Sequence, residues 1–387
     1  MSTWKECKVA DAPFEIIDGD RGTNYPKQDE FSQNGYCLFL NAKNVTTDGF
    51  AFNECYFISK KRDELLSKGK LQRNDVILTT RGTVGNIGFF NERIPYENIR
   101  INSGMVIIRP DSDGILPEYT HQLFKYLKSD FDVFATGSAQ PQLPIRDLKE
   151  ISFLLPPLAE QKAIAGVLSS LDDKIDLLHR QNKTLESLAE TLWRKMFIEE
   201  NENTKIINLG DIIEIYDSKR IPLSSTLREK KKDGVLYPYY GAATIMDYIN
   251  EYIFDGEYLL LGEDGTVQTT DGYPILQLAI GKFWVNNHTH VLRAKMPFSN
   301  FLLYIILKNT SISHIVTGAV QPKINQENLK ALEIMSTKDS IVAELSVIVD
   351  NYWKKIQNNN LQIRVLSKTR DTLLPKLMSG EVRVCHE

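Results

Sequence analysis

The chain is poor in cysteine. Cys7, Cys37, Cys55 and Cys385 are four thiols in 387 residues, and none forms the CxxC pair that a zinc or redox site would need. Long hydrophobic runs are missing too. No stretch of about 18 apolar residues could form a membrane-spanning helix, and MSTWKECK at the N-terminus leads into no apolar segment of the secretory kind. A cytoplasmic protein without a membrane is expected. Positive charge is not in excess: 46 Lys and Arg against 50 Asp and Glu give a net charge of −4, with a pI near 6.0. A protein that coats nucleic acid gains its affinity from neutralised phosphates, so any DNA contact here must come from local basic loops or from partners. What remains, 42% hydrophobic and 25% charged residues, is the make-up of a globular protein long enough for two to four units.

The chain repeats itself. TGSAQPQL at 136–143 returns as TGAVQPKI at 317–324. A helical-looking stretch precedes each copy, LFKYLKS from Leu123 and LLYIILKN from Leu302. Further upstream GTVG from Gly82 matches GTVQ from Gly265, and INSGMVIIRP from Ile101 matches VNNHTHVLRA from Val285. Each module mixes short β-branched and aromatic runs, among them 76–79, 106–108, 258–261 and 291–292, with many Gly, Asn and Asp breaks. The frame is shared but the loops are not, which fits related binding tasks on different targets.

A long helix follows each module. Over 157–199 the only Gly or Pro beyond the start is Gly166, and about 43 helical residues make a rod of about 64 Å. Ile164, Leu168, Leu171, Ile175 and Leu178 step by four and three to Asn182, and Leu185, Ala189, Leu192 and Met196 continue the seam. Leu345, Ile348, Tyr352, Asn359, Leu366, Leu373 and Leu377 form the matching seam, offset by about 177 residues before Asn359 and about 181 after it, a four-residue stutter. Asn182 and Asn359 are the candidate register residues, and the helices are expected to pack on each other rather than each simply on its own module. The fold class is therefore α+β: two irregular domains, 1–150 and 201–336, alternating with helical segments 151–200 and 337–387 that pair as an antiparallel coiled coil.

LLPPLAEQKAIAGVLSSLDDKIDLL from Leu154, the QPQ and QPK turns and the closing LLPKLMSGEV from Leu373 resemble the specificity subunits of type I restriction-modification enzymes. The resemblance covers the whole chain; STKDSIVAEL from Ser336 departs from it where the first copy reads LPPLAEQKAI. It implies that each module is a target recognition domain reading one half of a bipartite, asymmetric site in double-stranded DNA. It further implies that the helices set the spacing and dock two methyltransferase subunits, to which motor-nuclease subunits bind. S-adenosylmethionine, ATP and Mg²⁺ would then be used by those partners. The sequence agrees in lacking a GxxxxGK[ST] loop, a glycine-rich cofactor loop after a strand and an NPPY- or DPPY-like tetrapeptide, so no cofactor and no catalytic residue is assigned to this chain. A coiled-coil scaffold that holds protein partners and never touches DNA is the alternative.

Candidate DNA contacts are polar and basic residues on glycine-rich loops, since these pair with phosphates and base edges. In the first module they are Arg21, Lys27, Lys60, Lys61, Arg62 and Arg81. The second supplies Lys219, Arg220, Lys230, Lys231, Lys232, Gln268, Thr269 and Thr270. Asp255, Glu257, Glu263 and Asp264 are expected to serve turns around Gly256, Gly262 and Gly265, or to accept from a cytosine amino group. His288 and His290, alternating on a strand, lack an evident third metal ligand and are expected at the surface or on DNA; no metal site is assigned.

Overall fold

In a computed structural model that describes residues 4–47, 49–137, 141–199, 204–318 and 320–384, the apolar runs of the first module become strands with both faces covered. Lys5–Lys8 (β1), Phe14–Asp18 (β2), Val76–Thr79 (β3), Ile87–Phe89 (β4) and Met105–Pro110 (β5) precede the helix Pro117–Tyr126 (α1), and Ser152–Leu155 (β6) closes the module by pairing with β1. The four-stranded antiparallel sheet runs β2-β5-β3-β4. Side chains that alternate along a strand enter different cores here: Val76, Leu78, Val106 and Ile108 join Tyr119 and Leu123 of α1, whereas Ile77, Met105 and Ile107 join Leu38 and Ile99 on the other face. The helix Leu158–Arg194 (α2) follows and ends in a π-helical turn, Lys195–Glu199.

The second module repeats the arrangement. Its strands are Lys205–Asn208 (β7), Ile213–Ile215 (β8), Tyr237–Tyr240 (β9), Ile245–Ile249 (β10), Phe254–Gly262 (β11), Leu276–Val285 (β12) and Thr289–Ala294 (β13). The helix Asn300–Lys308 (α3), the strand Glu333–Ser336 (β14) and the helix Asp339–Met378 (α4) complete it. The sheet order β8-β13-β11-β12 matches β2-β5-β3-β4 strand for strand, with β9 and β10 added at the far edge. β14 pairs with β7 as β6 does with β1. Asp255 and Glu257 therefore lie on a nine-residue strand, not in the turn expected for them; only Glu263 and Asp264 are in the loop beyond it.

Contacts divide the chain into Met1–Asp176 with Ile363–Glu387, and Leu177–Gln362. Both long helices are cut by this division, so each unit holds a part of both. In the first, Ile164, Ala165 and Leu168 of α2 and Leu377 and Met378 of α4 share the core of the sheet and α1. Asp172 of α2 meets Arg370 of α4 at 3.0 Å, and Glu160 of α2 meets Arg383, beyond the end of α4, at 3.2 Å; a falling number meets a rising one, as an antiparallel pairing requires. In the second, Ala189 and Trp193 of α2 and Val342, Leu345, Val349 and Ile356 of α4 share a core with α3. Helix-on-helix and helix-on-module packing thus coexist, where the sequence had set one against the other.

Asn359 is fully buried and donates from Nδ2 to Asn182 Oδ1 at 2.8 Å, while Asn182 Nδ2 donates to Asn360 Oδ1 at 2.9 Å. Asn359 Oδ1 has no partner among the described residues. A polar seam pair of this kind trades stability for a defined register. The double variant Asn182→Leu, Asn359→Leu is expected to gain about 1–2 kcal/mol in urea melts. An unchanged midpoint would show the pair to be neutral, and a lower one that it stabilises outright.

Candidate nucleic-acid interface

The loop after β3 and the loop after β11 are built alike. Gly82 and Gly265 take φ of +77° and +78°, a region that glycine enters without a Cβ clash. Their N–H groups donate to Pro141 O at 3.2 Å and Pro322 O at 3.0 Å. One residue pair earlier, Leu143 N donates to Thr80 O at 2.9 Å and Ile324 N to Glu263 O at 2.8 Å. The repeated TG…QP segments close on themselves through mutual backbone bonds, Thr136 with Gln142 and Thr317 with Lys323. Ser138, Ala139, Gln140 and Ala319 of these segments, and Cys385, lie outside the described residues. The turn before the last sheet strand is matched as well: Asn102 Oδ1 accepts from Gly104 N, and Asn286 Oδ1 from His288 N, both at 2.9 Å. Backbone groups and two asparagines hold this frame, which leaves the other side chains free to differ.

Arg81 stands exposed near the start of the first loop. Arg21 and Arg220 are equivalent to each other: Arg21 meets Asp18 at 3.1 Å and Ser103 O at 3.3 Å, and Arg220 meets Asp217 at 3.5 Å and Asn287 O at 3.4 Å. Exposure separates them, since the Arg21 side chain is 48% exposed and that of Arg220 12%. Arg220 also donates to Glu263 at 2.5 Å and Thr289 O at 2.7 Å, so its fork is engaged inside the module. Arg62 is likewise held by Glu30 and Asn24 O, Lys231 by Glu251, and Lys232 by Asp247 and Tyr248 O. Lys27, Lys60, Lys61, Lys219 and Lys230 are exposed, with Lys60 over the Tyr36 ring and Lys219 over Tyr216. Gln268, Thr269 and Thr270 lie in the loop between β11 and β12; Thr269 and Thr270 are exposed and Gln268 Oε1 accepts from Ser313.

His290 is fully buried, contrary to the surface or DNA position expected for it. It is the second residue of β13 and points into the module, whereas His288 precedes the strand and is exposed. Asp217, Glu263 and His290 bring ligand-type atoms within 4.8 Å of one another. These atoms already have partners: His290 Nδ1 is 2.6 Å from Asp217, its Nε2 is 2.9 Å from Ile324 O, and Arg220 and Lys323 neutralise Glu263. The arrangement is an internal ion network, a better fit to the donor set than a cation coordinated by three ligands. Asp217 is its hub, accepting also from Val291 N at 2.9 Å and Gln326 at 2.7 Å. Burial pushes its carboxyl pKa up, but the hydrogen bonds from His290 and Val291 N and the charge of Arg220 together hold it below the usual value. Asp217 was missed by sequence reading, although DSKR at 217–220 repeats the acid-to-arginine spacing of DGDR at 18–21.

Of the cysteines, Cys7 and Cys37 are buried and Cys55 is half-buried, all with free thiols; burial pushes that of Cys37 up to about 12. Among the described residues no helix is long and apolar enough to cross a membrane.

Comparison with known proteins agrees with the repeat. The family described as "Type I restriction modification DNA specificity domain" matches twice, over residues 1–187 and 201–365. The MjaIX specificity subunit of Methanocaldococcus jannaschii, a type I restriction enzyme subunit, is 27% identical over 383 residues, covering 88% of this chain and 86% of its own. A putative type I specificity subunit of Haemophilus influenzae is 34% identical over 142 residues, covering 37% of this chain and 35% of its own. The crystal structure of a type I restriction-modification S subunit from M. genitalium superposes with a TM-score of 0.62 at 16% identity, covering 97% of this chain and 96% of that one.

Proposed function

We propose, from the premise that the chain belongs to the type I restriction-modification DNA specificity family, that each of its modules reads one half of a bipartite, asymmetric site in double-stranded DNA. The long helices set the gap between the half-sites and dock two methyltransferase subunits, through which motor-nuclease subunits join the complex in the cytoplasm. This chain reads and positions; it catalyses nothing, and S-adenosylmethionine, ATP and Mg²⁺ belong to its partners. One observation carries the reading: the same four-strand frame and stitched loop occur twice, with different side chains on the loop. A scaffold that only held protein partners would have no use for that combination. Loops positioned by a rigid sheet are where recognition varies at least structural cost.

Replacing residues 1–150 by the corresponding module of another family member is expected to change one half-site and leave the other intact. Mapping methylated positions in a genome that expresses the hybrid with its methyltransferase gives both halves at once. A motif altered on both sides, or on neither, contradicts independent reading heads.

A further inference from the structure

The matched loops place two neighbouring positions of each module at the same point of the fold. In the first module they hold Arg81 and Gly104. Thr80 N and Arg81 N both donate to Gly104 O, and a Cβ at Gly104 would lie 3.6 Å from that of Arg81. In the second they hold Asp264 and His288: Glu263 N donates to His288 O at 2.9 Å, and Asp264 Oδ1 lies 2.6 Å from His288 Nδ1. One module therefore presents an arginine beside a residue with no side chain, the other an imidazole braced by a carboxylate. The His288 side chain is 47% exposed and that of Asp264 18%, so the ring is the outer member of its pair.

Resting on the reading of the modules as DNA readers, we propose that these positions are the base-reading tips of the two modules, and that the tips have opposite hydrogen-bonding character. Arg81 takes a guanine edge. Its guanidinium has only donors, and the major-groove edge of guanine offers the acceptors O6 and N7 at the spacing of that fork. His288 takes an exocyclic amino group, of adenine or cytosine. A carboxylate can only accept, so Nδ1 donates to Asp264; in the tautomer with its single proton on Nδ1, Nε2 carries the lone pair that accepts from the base. Gly104 is part of the device: an empty neighbour lets the long arginine move over the loop, whereas the shorter imidazole is fixed by its brace.

The test uses the whole chain with its methyltransferase partner and reads the methylated motif position by position. Arg81→Ala is expected to relax a single G·C pair of the first half-site, with discrimination falling about ten- to a hundred-fold, the worth of one bidentate base contact. His288→Ala, and Asp264→Ala through loss of the brace, should relax one and the same pair of the second half-site. In every variant the untouched half-site reports that the protein is folded and assembled. Should Arg81→Ala lose methylation altogether, Arg81→Lys keeps the charge without the fork and should still relax that one pair. The transplant Arg81→Asp with Gly104→His should move the first module's preference at that pair away from guanine, toward a base bearing an amino group. Variants that keep the wild-type motif and its discrimination overturn the assignment of the tips while leaving two reading modules in place. A wild-type complex that methylates without any bipartite motif overturns the reading on which it rests.

Discussion

Replacing Asp217 by alanine is expected to destabilise the second module by about 3–5 kcal/mol, the range for removing one member of a buried ion pair, and to abolish reading of the second half-site. The loss would be large because the carboxylate serves His290, Arg220, Gln326 and Val291 N at once. Without it a buried histidine and an arginine 12% exposed lose the carboxylate they share, next to the loop that carries Asp264. The pH dependence has a definite sign. A carboxyl whose folded pKa is depressed contributes stability above the unfolded value of about 3.9 and loses it as pH falls through the folded value. Thermal melts at neutral pH and at pH 3, with the methylated motif as the functional readout, check both parts. A variant that melts with the wild type and keeps its motif would mean that Glu263 alone balances the cations.

A comparable effect is expected in the other unit from Asp172→Ala. This residue of α2 accepts from Gln122 and Lys125 of α1, each at 2.8 Å, and from Arg370 of α4 at 3.0 Å. Burial pushes its carboxyl up, but the charge and hydrogen bond of Lys125, with Gln122 and Arg370, bring it down to about 2. The difference from an unfolded carboxyl is worth about 2–3 kcal/mol at neutral pH, present above about pH 4 and lost as pH falls toward 2. Removing the side chain costs more, about 3–5 kcal/mol, because Lys125 and Arg370 stay half-buried without their shared anion. Acid titration followed by circular dichroism should show the wild type losing this margin between pH 4 and 2, with the variant flatter and less stable throughout. Identical acid profiles would show the three partners to be independent of Asp172.

The sequence carried a great deal of this architecture, because its strongest signals are periodic. The seam from Ile164 to Met196 is buried or half-buried at every position read, and Asn182 meets Asn359. The repeated TG…QP segments occupy equivalent places, since glycines at positive φ and a proline fix a loop locally. Spatial pairing was not legible. Nothing near Arg220 in the chain says that Glu263 will take its fork, or near Arg62 that Glu30 will, and a loop arginine looks the same whether it faces solvent or a carboxylate 43 residues on. His290 was misplaced for a related reason. Its neighbour His288 sits one residue before β13, so the two do not share a strand, and only the fold brings Asp217 beneath the buried ring.

The core of the first module includes Leu377 and Met378, with Leu373, Leu374 and Val384 packed against it. During synthesis those side chains do not exist until residues 177–362 have been made. At the usual 5–20 residues per second that interval is about 10–40 s, in which Ile164, Ala165 and Leu168 have no α4 to cover them. The module made first is thus the one completed last. Until α4 has been made, a nascent chain would keep its leading module open to chaperones, and a message truncated before codon 377 would yield a protein damaged in the first reading head.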